Sequence, residues 1–153
     1  MEIRPFQAGD EAAFRELNEA WIVQLFAMEA KDLEILREPV ANIIDLGGHI
    51  LMAISDGEPI GCCAMIPKGE RGFELGKMAV KAARRGAGVG RRILASVINH
   101  ARGLGAEFLY LETSHKLPDA IHLYESVGFT RIPAERIEPS PYARSDIHME
   151  MIL

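Results

Sequence analysis

A glycine-rich turn bordered by arginines is the segment of this sequence most suited to chemistry. It reads Arg-Gly-Ala-Gly-Val-Gly over residues 85–90, and a stretch with the apolar periodicity of a helix follows it. Glycine lets a backbone approach a ligand closely. The first N–H groups of a helix have no partner inside the helix and carry partial positive charge. The turn therefore predicts a binding site for a phosphate or pyrophosphate group.

Three phosphate-binding patterns compete for this turn. A dinucleotide-binding fold uses G-x-G-x-x-G, but Arg91 stands where the third glycine belongs. A P-loop requires a lysine after its last glycine, whereas two arginines follow Gly90. The third pattern, Q/R-x-x-G-x-G/A, is met in full by Arg85, Gly88 and Gly90. A structural turn that binds no ligand is the remaining alternative.

The charge of the chain is distributed unevenly. The formal net charge is −5, which gives no global attraction to nucleic acids or membrane surfaces. Nevertheless, four arginines surround the turn: Arg84, Arg85, Arg91 and Arg92. Guanidinium groups bind phosphates through charge-assisted hydrogen bonds, although a solvated basic helix start would have the same composition.

Length and composition predict a single folded domain over residues 1–153. Hydrophobic residues make up 48% of the chain and charged residues 25%, as is usual for globular proteins. The start of the chain lacks the basic flank and apolar run of a signal peptide. No apolar stretch approaches the roughly 20 residues that a membrane span requires. We therefore expect a cytoplasmic protein that binds neither nucleic acid nor membrane.

The first third of the chain predicts one strand and two helices. Residues 2–6 form a short strand, and Asp10 can cap the helix that follows. Apolar residues at spacings of three and four predict its buried face: Phe14, Leu17, Trp21, Leu25 and Met28. A second helix over residues 31–46 is interrupted or kinked by Pro39.

The remaining pattern alternates strands with helices. Strands are predicted at 50–54, 59–66, 73–80, 107–113, from 128 onward, and at 145–153. One helix follows the glycine-rich turn, and another begins near Pro118. Hairpin-linked strands beside strand–helix–strand units predict an α/β (α+β) fold. Its mixed, mostly antiparallel sheet of about six to seven strands is flanked by about four helices, in the order β-α-α-β-β-β-α-β-α-β-β.

The two cysteines, Cys62 and Cys63, are adjacent on a predicted strand. Neighbouring side chains on a strand point to opposite faces, so a disulfide between the two is not expected. They also lack the spacing of a zinc site. We expect small, buried apolar residues and no metal.

Three segments in the same order as in the family make the chain similar to the GNAT superfamily of N-acetyltransferases along essentially its whole length. Residues 74–80 resemble the family's fourth strand, and residues 85–90 its pyrophosphate loop. The stretch from Leu-Glu-Thr at 111–113 to Gly-Phe at 128–129 resembles its second conserved block. The ending at 146–151 resembles the last strand of bacterial single-domain members. The resemblance implies an enzyme that transfers an acetyl group from acetyl-CoA to an amine.

The resemblance also implies which residues bind acetyl-CoA. Backbone groups at Met78 and Val80 would pair with the pantetheine arm, and the turn would hold the pyrophosphate. Thr113 lies where many members carry an asparagine near the cofactor. The implied set is Met78, Ala79, Val80, Arg85, Gly86, Ala87, Gly88, Val89, Gly90, Arg91 and Thr113.

Acetylation of an amine needs a proton acceptor and a proton donor. An alkylamine has a pKa near ~10.4, so a base must take its proton before it can attack. A proton donor assists the departing thiolate. Tyr124, which the resemblance places near the thioester sulfur, is the candidate acid, and Glu74 on the fourth strand is the candidate base. Glu112, His115 and His122 are weaker candidates.

The expected acceptor is a primary amine of a small molecule, an amino-acid derivative or a protein, attacking directly in a ternary complex. We expect residues 26–38 and 133–144 to wall its site, with Tyr142 and Arg144 contacting an acidic or aromatic acceptor. A longer acyl-CoA donor, a non-catalytic acyl-CoA sensor and a nucleotide binder are the alternatives. The resemblance is also compatible with a homodimer.

Overall fold

One seven-stranded sheet runs through the computed structural model, which describes residues 1–153. Its strands are β1 (Glu2–Pro5), β2 (His49–Ser55), β3 (Glu58–Lys68), β4 (Gly72–Val80), β5 (Phe108–Thr113), β6 (Thr130–Arg131) and β7 (Ile147–Ile152). They lie in the order β1-β2-β3-β4-β5-β7-β6. Only the β4–β5 pair is parallel, and every other pair is antiparallel. The predicted mixed, mostly antiparallel sheet is confirmed.

Five helices accompany the sheet. They are α1 (Glu11–Leu25), α2 (Ala30–Arg37), α3 (Pro39–Asn42), α4 (Val89–Gly103) and α5 (Pro118–Val127). None of the five combines the length and the apolar character needed to cross a lipid bilayer. The order of strands and helices agrees with the prediction, except that the second predicted helix is divided in two.

Proline causes that division. Pro39 has no N–H group and disfavours a helical conformation at the residue before it. Glu38 accordingly adopts φ −134° and ψ 67°, outside the helical region. The helix predicted over 31–46 therefore ends at Arg37, and α3 begins with Pro39 at its first turn.

The buried face of α1 differs from the prediction. The helix ends before Met28, and its buried residues are Phe14, Asn18 and Ile22. The Asn18 amide donates to the carbonyl oxygen one turn earlier at 2.9 Å. Its side-chain oxygen accepts from Trp21 Nε1 at 3.1 Å. Because both ends of the amide are hydrogen-bonded, the polar Asn18 side chain can be buried in the core. Apolar periodicity alone predicts other residues of the helix at the buried face.

Apolar cores cover both faces of the sheet. One core packs α4 against the sheet around Ile93 and Leu109, and the other packs α1 and α2 around Phe14 and Ile35. The adjacent cysteines divide between the two cores, with Cys63 in the first and Cys62 in the second. Both are free thiols, which confirms the prediction that they serve as buried apolar residues on a strand.

Candidate active site

A cleft opens where two parallel strands separate. The pairing of β4 with β5 stops at Leu75, opposite Leu111, yet β4 continues to Val80 and β5 to Thr113. The cleft between the strand ends has a volume of about 700 Å³. Ligand pockets typically measure about 300–1,000 Å³, so this cleft is large enough for a sizeable organic ligand.

The cleft gathers nearly all the residues that the sequence singled out. Those that line it are Glu74, Met78, Ala79, Val80, Arg85, Gly86, Gly88, Val89, Gly90, Arg91, Thr113 and Tyr124. Ala87 is exposed and lies outside the lining. Among the weaker candidates, Glu112 lines the cleft, whereas His115 and His122 do not. The His115 ring hydrogen-bonds to Asp146 instead.

The glycine-rich turn lies at one end of the cleft and leads directly into α4. Gly86 and Gly88 have φ values of +80° and +81°, a conformation that favours glycine. A Cβ atom added at either position would meet no atom within 4 Å, so open space borders the turn. At Gly90, by contrast, a Cβ would lie 3.0 Å from Leu123 Cδ2, because α4 packs closely on α5 there.

The four arginines around the turn have different surroundings. Arg84, Arg85 and Arg91 line the cleft, and Arg92 does not. The Arg92 guanidinium instead donates to the backbone oxygen of Met1 at 3.3 Å. Three arginines are therefore placed beside any anion bound at the turn, and the fourth supports the chain terminus.

Tyr124 on α5 faces the cleft from beside β4. Its hydroxyl donates to Met78 Sδ at 3.9 Å, and its ring packs edge-on against Phe129 with centroids 6.0 Å apart. Sulfur is a weak acceptor, so the hydroxyl can turn to a stronger one. Burial raises the pKa of Tyr124, which keeps the hydroxyl protonated at neutral pH. The geometry suits a proton donor.

Glu74 on β4 faces the same cleft. Burial is the main cause that raises the pKa of this carboxyl, and the negative charge of Glu112 raises it further, to about 7. Lys68, Lys77 and Lys31 oppose the shift only in part. A carboxyl with a pKa near neutrality can both take and release a proton under physiological conditions, as general bases do.

Sequence reasoning missed a buried ionic network behind the part of the cleft where the acceptor is expected. Asp32 is fully buried, and its Oδ1 accepts from Lys77 Nζ and Arg144 Nη2, each at 2.7 Å. Its Oδ2 accepts from Arg144 Nη1 at 2.8 Å and from the Glu29 amide at 2.9 Å. Burial opposes ionisation, but the hydrogen bonds from Arg144 and Lys77 outweigh it and lower the pKa of Asp32 to about 2.

Lys77 reaches this network through an unusual backbone conformation. Its φ is +49°, and the pairing of β3 with β4 shifts register between Cys62 and Ala64, opposite this point. Its Nζ also donates to the Tyr142 hydroxyl at 3.0 Å. Burial is the main cause that lowers the pKa of Lys77, against the opposing effect of Asp32. A lysine in the middle of a largely apolar strand, three residues after Glu74, was the available sequence signal for this network.

The acceptor walls only partly match the sequence-based expectation. Tyr142, Arg144 and Ser145 line the cleft, so the long loop before β7 contributes a wall. The helix α1 also contributes Trp21, Gln24 and Leu25 to the lining, whereas none of residues 26–38 lines the cleft. Glu29 and Asp32 do not line the cleft but accept hydrogen bonds from Arg144 and so fix its position. The Arg144 guanidinium lies 4.5 Å from the centre of the Tyr142 ring.

Comparison with known proteins identifies relatives of this chain. The model of the family described as "Acetyltransferase (GNAT) family" matches residues 11–129. The chain is 32% identical over 121 residues to an IAA acetyltransferase of Azospirillum brasilense, covering 78% of this chain and 72% of that relative. It spans only 16%, 45% and 47% of three further curated relatives.

Solved structures share the fold at low sequence identity. An acetyltransferase of the GNAT family from Staphylococcus aureus Mu50 superposes with a TM-score of 0.89 at 19% identity, covering 99% of this chain and 98% of that one. An aminoglycoside 6'-N-acetyltransferase complexed with coenzyme A superposes with a TM-score of 0.73 at 17% identity, covering 99% and 97%. At these identities the likeness concerns the fold alone.

Proposed function

Because the chain belongs to the acetyltransferase (GNAT) family of acyl-CoA-dependent enzymes, we propose that it transfers the acetyl group of acetyl-CoA to a primary amine bound in the same cleft. Residues 1–153 act as one catalytic domain, and the amine attacks directly in a ternary complex. One observation carries the proposal. A single cleft joins a glycine-rich turn at a helix start to a carboxyl and a phenol suited to proton transfer.

The turn and the arginines beside it would hold the diphosphate of acetyl-CoA. Free N–H groups at the start of α4 and the positive end of its dipole favour an anion there. Open space next to Gly86 and Gly88 leaves room for the phosphates against the backbone. Arg84, Arg85 and Arg91 add three positive charges at this end.

The unpaired edge of β4 would align the rest of acetyl-CoA. Beyond Leu75 this strand has no partner on the β5 side, so backbone groups from Met78 to Val80 are available to an extended ligand. Thr113, at the end of β5, borders the same space. When bound, acetyl-CoA supplies the acetyl group as a thioester.

Glu74 and Tyr124 would divide the proton transfers. Ionised Glu74 takes a proton from the ammonium form of the acceptor and leaves a neutral, nucleophilic amine. Burial raises the pKa of Tyr124, so its hydroxyl is protonated when the thiolate forms and can donate a hydrogen bond to the sulfur. Tyr124 then donates its proton to the sulfur. It regains a proton through solvent as the attacking nitrogen loses its second proton and becomes the amide.

The experiment is acetyl-CoA turnover, followed by thiol release, with four amine probes: spermidine, an aminoglycoside, a peptide with a free amino terminus, and an amino acid. Transfer by the wild type to at least one amine supports the proposal. We expect Tyr124→Phe to lower kcat by about a hundredfold, since general acids contribute roughly 10²–10⁴-fold. The Kd for acetyl-CoA, measured by calorimetry, should stay within about twofold, because removing one hydroxyl changes ground-state binding little.

Two outcomes would contradict the proposal. Acetyl-CoA binding without release of thiol in the presence of any amine would favour a non-catalytic acyl-CoA sensor. Absence of a thermal shift with acetyl-CoA would remove the cofactor site itself, because a ligand at about 100 times its Kd stabilises a protein by roughly 2.7 kcal/mol.

A further inference from the structure

A line of hydrogen bonds leads away from the cleft through β5 to β7. The Tyr110 hydroxyl lies 2.9 Å from Glu112 Oε2 and 2.7 Å from His148 Nδ1. Tyr110 is 7% exposed and His148 is 5% exposed. The register of the two strands produces this arrangement, because Glu112 and His148 are direct partners in the β5–β7 ladder. Tyr110 and His148 have no part in the mechanism proposed above.

The line connects two separate cavities. Glu112 lines the large cleft, whereas Tyr110 and His148 line a second cavity of about 140 Å³ on the other side. The charged groups around this second cavity are Lys68 from β3, Arg136 and Glu138 from the loop after β6, and Glu150 from β7. Both cations and carboxylates therefore surround the imidazole, and the Glu112 carboxylate approaches it directly, with Oε2 3.9 Å from Nδ1.

Glu112 connects the line to the candidate base. Its charge is one of the two causes that raise the pKa of Glu74, and Tyr110 is the ladder partner of Glu74 across β4 and β5. Its two carboxyl oxygens accept from Tyr110 and from Ser140, respectively. Both donors are neutral hydroxyls, and His148 Nδ1 lies 3.9 Å from the oxygen that accepts from Tyr110.

We propose that Glu112, Tyr110 and His148 form a proton store for acetyl transfer, in which His148 holds the amine's proton while the cleft is filled. The proposal rests on the proposed function. The proton that Glu74 removes passes to Glu112, which lines the same cleft and lies on β5 two residues beyond the ladder partner of Glu74. The resting imidazole holds its proton on Nε2, and the Tyr110 hydroxyl, which donates to Glu112 at rest, turns toward Nδ1 once Glu112 is protonated. The Glu112 O–H bond then breaks as Tyr110 gains a proton, and the Tyr110 O–H bond breaks as His148 Nδ1–H forms. After the products leave, the same transfers reverse and the proton goes to water in the cleft.

The reaction requires a temporary acceptor for one proton, which the store would provide. Acetylation of an ammonium group releases one proton overall, and two bound substrates keep bulk water away from the carboxyls. Histidine is the side chain that ordinarily changes charge near neutral pH. Burial, followed by the hydrogen bond to Glu112, raises the pKa of Tyr110, so this residue passes a proton in one concerted step and does not become a tyrosinate.

Ser140 offers a matched control. Tyr110→Phe and Ser140→Ala each remove one hydroxyl that donates to Glu112, but only Tyr110 also reaches His148. If these hydroxyls served only to hold Glu112 in place, the two variants would behave alike. The store instead predicts that Tyr110→Phe and His148→Gln share one phenotype and that Ser140→Ala resembles the wild type.

Kinetics with the best of the four amine probes would test this. We expect kcat to fall about tenfold in Tyr110→Phe and His148→Gln, less than for loss of a direct acid or base. The KM for acetyl-CoA should not change. A plot of kcat against the fraction of D₂O should be curved for the wild type and Ser140→Ala, because several protons move, and linear for the two store variants. Equal kcat in all four proteins would overturn the store and leave the transferase standing.

A second measurement does not require turnover. The store predicts that Glu112→Gln shifts the ¹⁵N signals of the His148 ring strongly in the wild-type background. The shift should be much smaller in the Tyr110→Phe background, where only the direct 3.9 Å approach of Glu112 Oε2 to His148 Nδ1 is left. An unchanged His148 signal in Glu112→Gln would overturn the store even in an active enzyme. Absence of wild-type acetylation with every probe would instead remove the transferase, and the store with it.

Discussion

The two ends of the cleft consist of different chemical groups: backbone amides at one end and buried charged side chains at the other. At the turn, exposed glycines and the start of α4 present backbone groups, and three arginines line the cleft beside them. At the other end, Asp32, Lys77 and Arg144 form a nearly closed ionic network beneath the acceptor wall. The side chains of Asp32, Lys77 and Arg144 are 0%, 5% and 10% exposed.

The two ends therefore differ in which groups determine their specificity for a ligand. Backbone amides at a turn recognise a diphosphate whatever side chains surround it, so few residue types are required there. A wall held by buried charges depends on several side chains at once, and loss of one partner leaves the others uncompensated. We therefore expect single substitutions at the acceptor end to lower the stability of the fold. Single substitutions at the turn should instead weaken the binding of acetyl-CoA.

The largest expected effect is on folding, at the acceptor end. Asp32→Asn keeps the volume of the side chain but leaves Lys77 without its hydrogen-bonded carboxylate and Arg144 with Glu29 alone, 3.4 Å away. Breaking a buried pair in this way typically costs about 3–5 kcal/mol, so the free energy of unfolding should fall by about that amount in urea titrations. Glu58→Gln makes the same chemical change at the exposed pair with Lys81 and should leave stability nearly unchanged. Equal stabilities of the two variants would show that the network contributes little.

The next effect concerns the rate and its pH dependence. Glu74 acts as a base only when ionised, and its pKa is raised to about 7, so kcat/KM should rise with pH through about 7. In Glu74→Gln we expect kcat/KM to be about a hundredfold lower, with this acid limb absent. Glu112→Gln removes one cause of the raised pKa of Glu74 and should move the limb to lower pH. A limb that persists in Glu74→Gln would assign the base to another group.

A smaller effect is expected at the turn. Gly88 has φ +81°, and a residue with a Cβ in the left-handed region costs about 1–2 kcal/mol. Gly88→Ala should therefore weaken acetyl-CoA binding about tenfold in calorimetry, as the turn leaves its binding conformation. Gly103→Ala, at the other end of the same helix, has open space for a Cβ and no positive φ, and serves as the control. Unchanged affinity in Gly88→Ala would place the diphosphate elsewhere.

The smallest expected effect separates two neighbouring arginines. Arg85 lines the cleft, whereas Arg92 bonds to the chain terminus. Arg85→Ala should raise the Kd for acetyl-CoA a few-fold, by about 1 kcal/mol, and should reduce the salt dependence of binding. Arg92→Ala should change neither quantity. The reverse result would mean that the guanidinium groups rearrange when the ligand binds.

Local patterns made much of the fold predictable. Hydrophobic periodicity, hairpin turns and Pro39 indicated the order of strands and helices, because each acts on its own backbone within a few residues. The buried face of α1 was not predictable in this way. Asn18 can be buried because its amide donates to the Phe14 carbonyl and accepts from Trp21. The spacing of apolar residues does not predict such hydrogen bonds.

The sequence by itself determined the glycine pattern, the order of the elements, and Tyr124 and Glu74 as the candidate acid and base. Tertiary structure alone decided which charges meet. Lys77 and Arg144 lie 45 and 112 residues from Asp32 along the chain, and only the folded sheet brings them within 2.7 Å of one carboxylate. The raised pKa of Glu74 likewise depends on burial and on Glu112 of a neighbouring strand. Such partners are set by distances in space, whereas periodicity and turn chemistry act on neighbours along the chain.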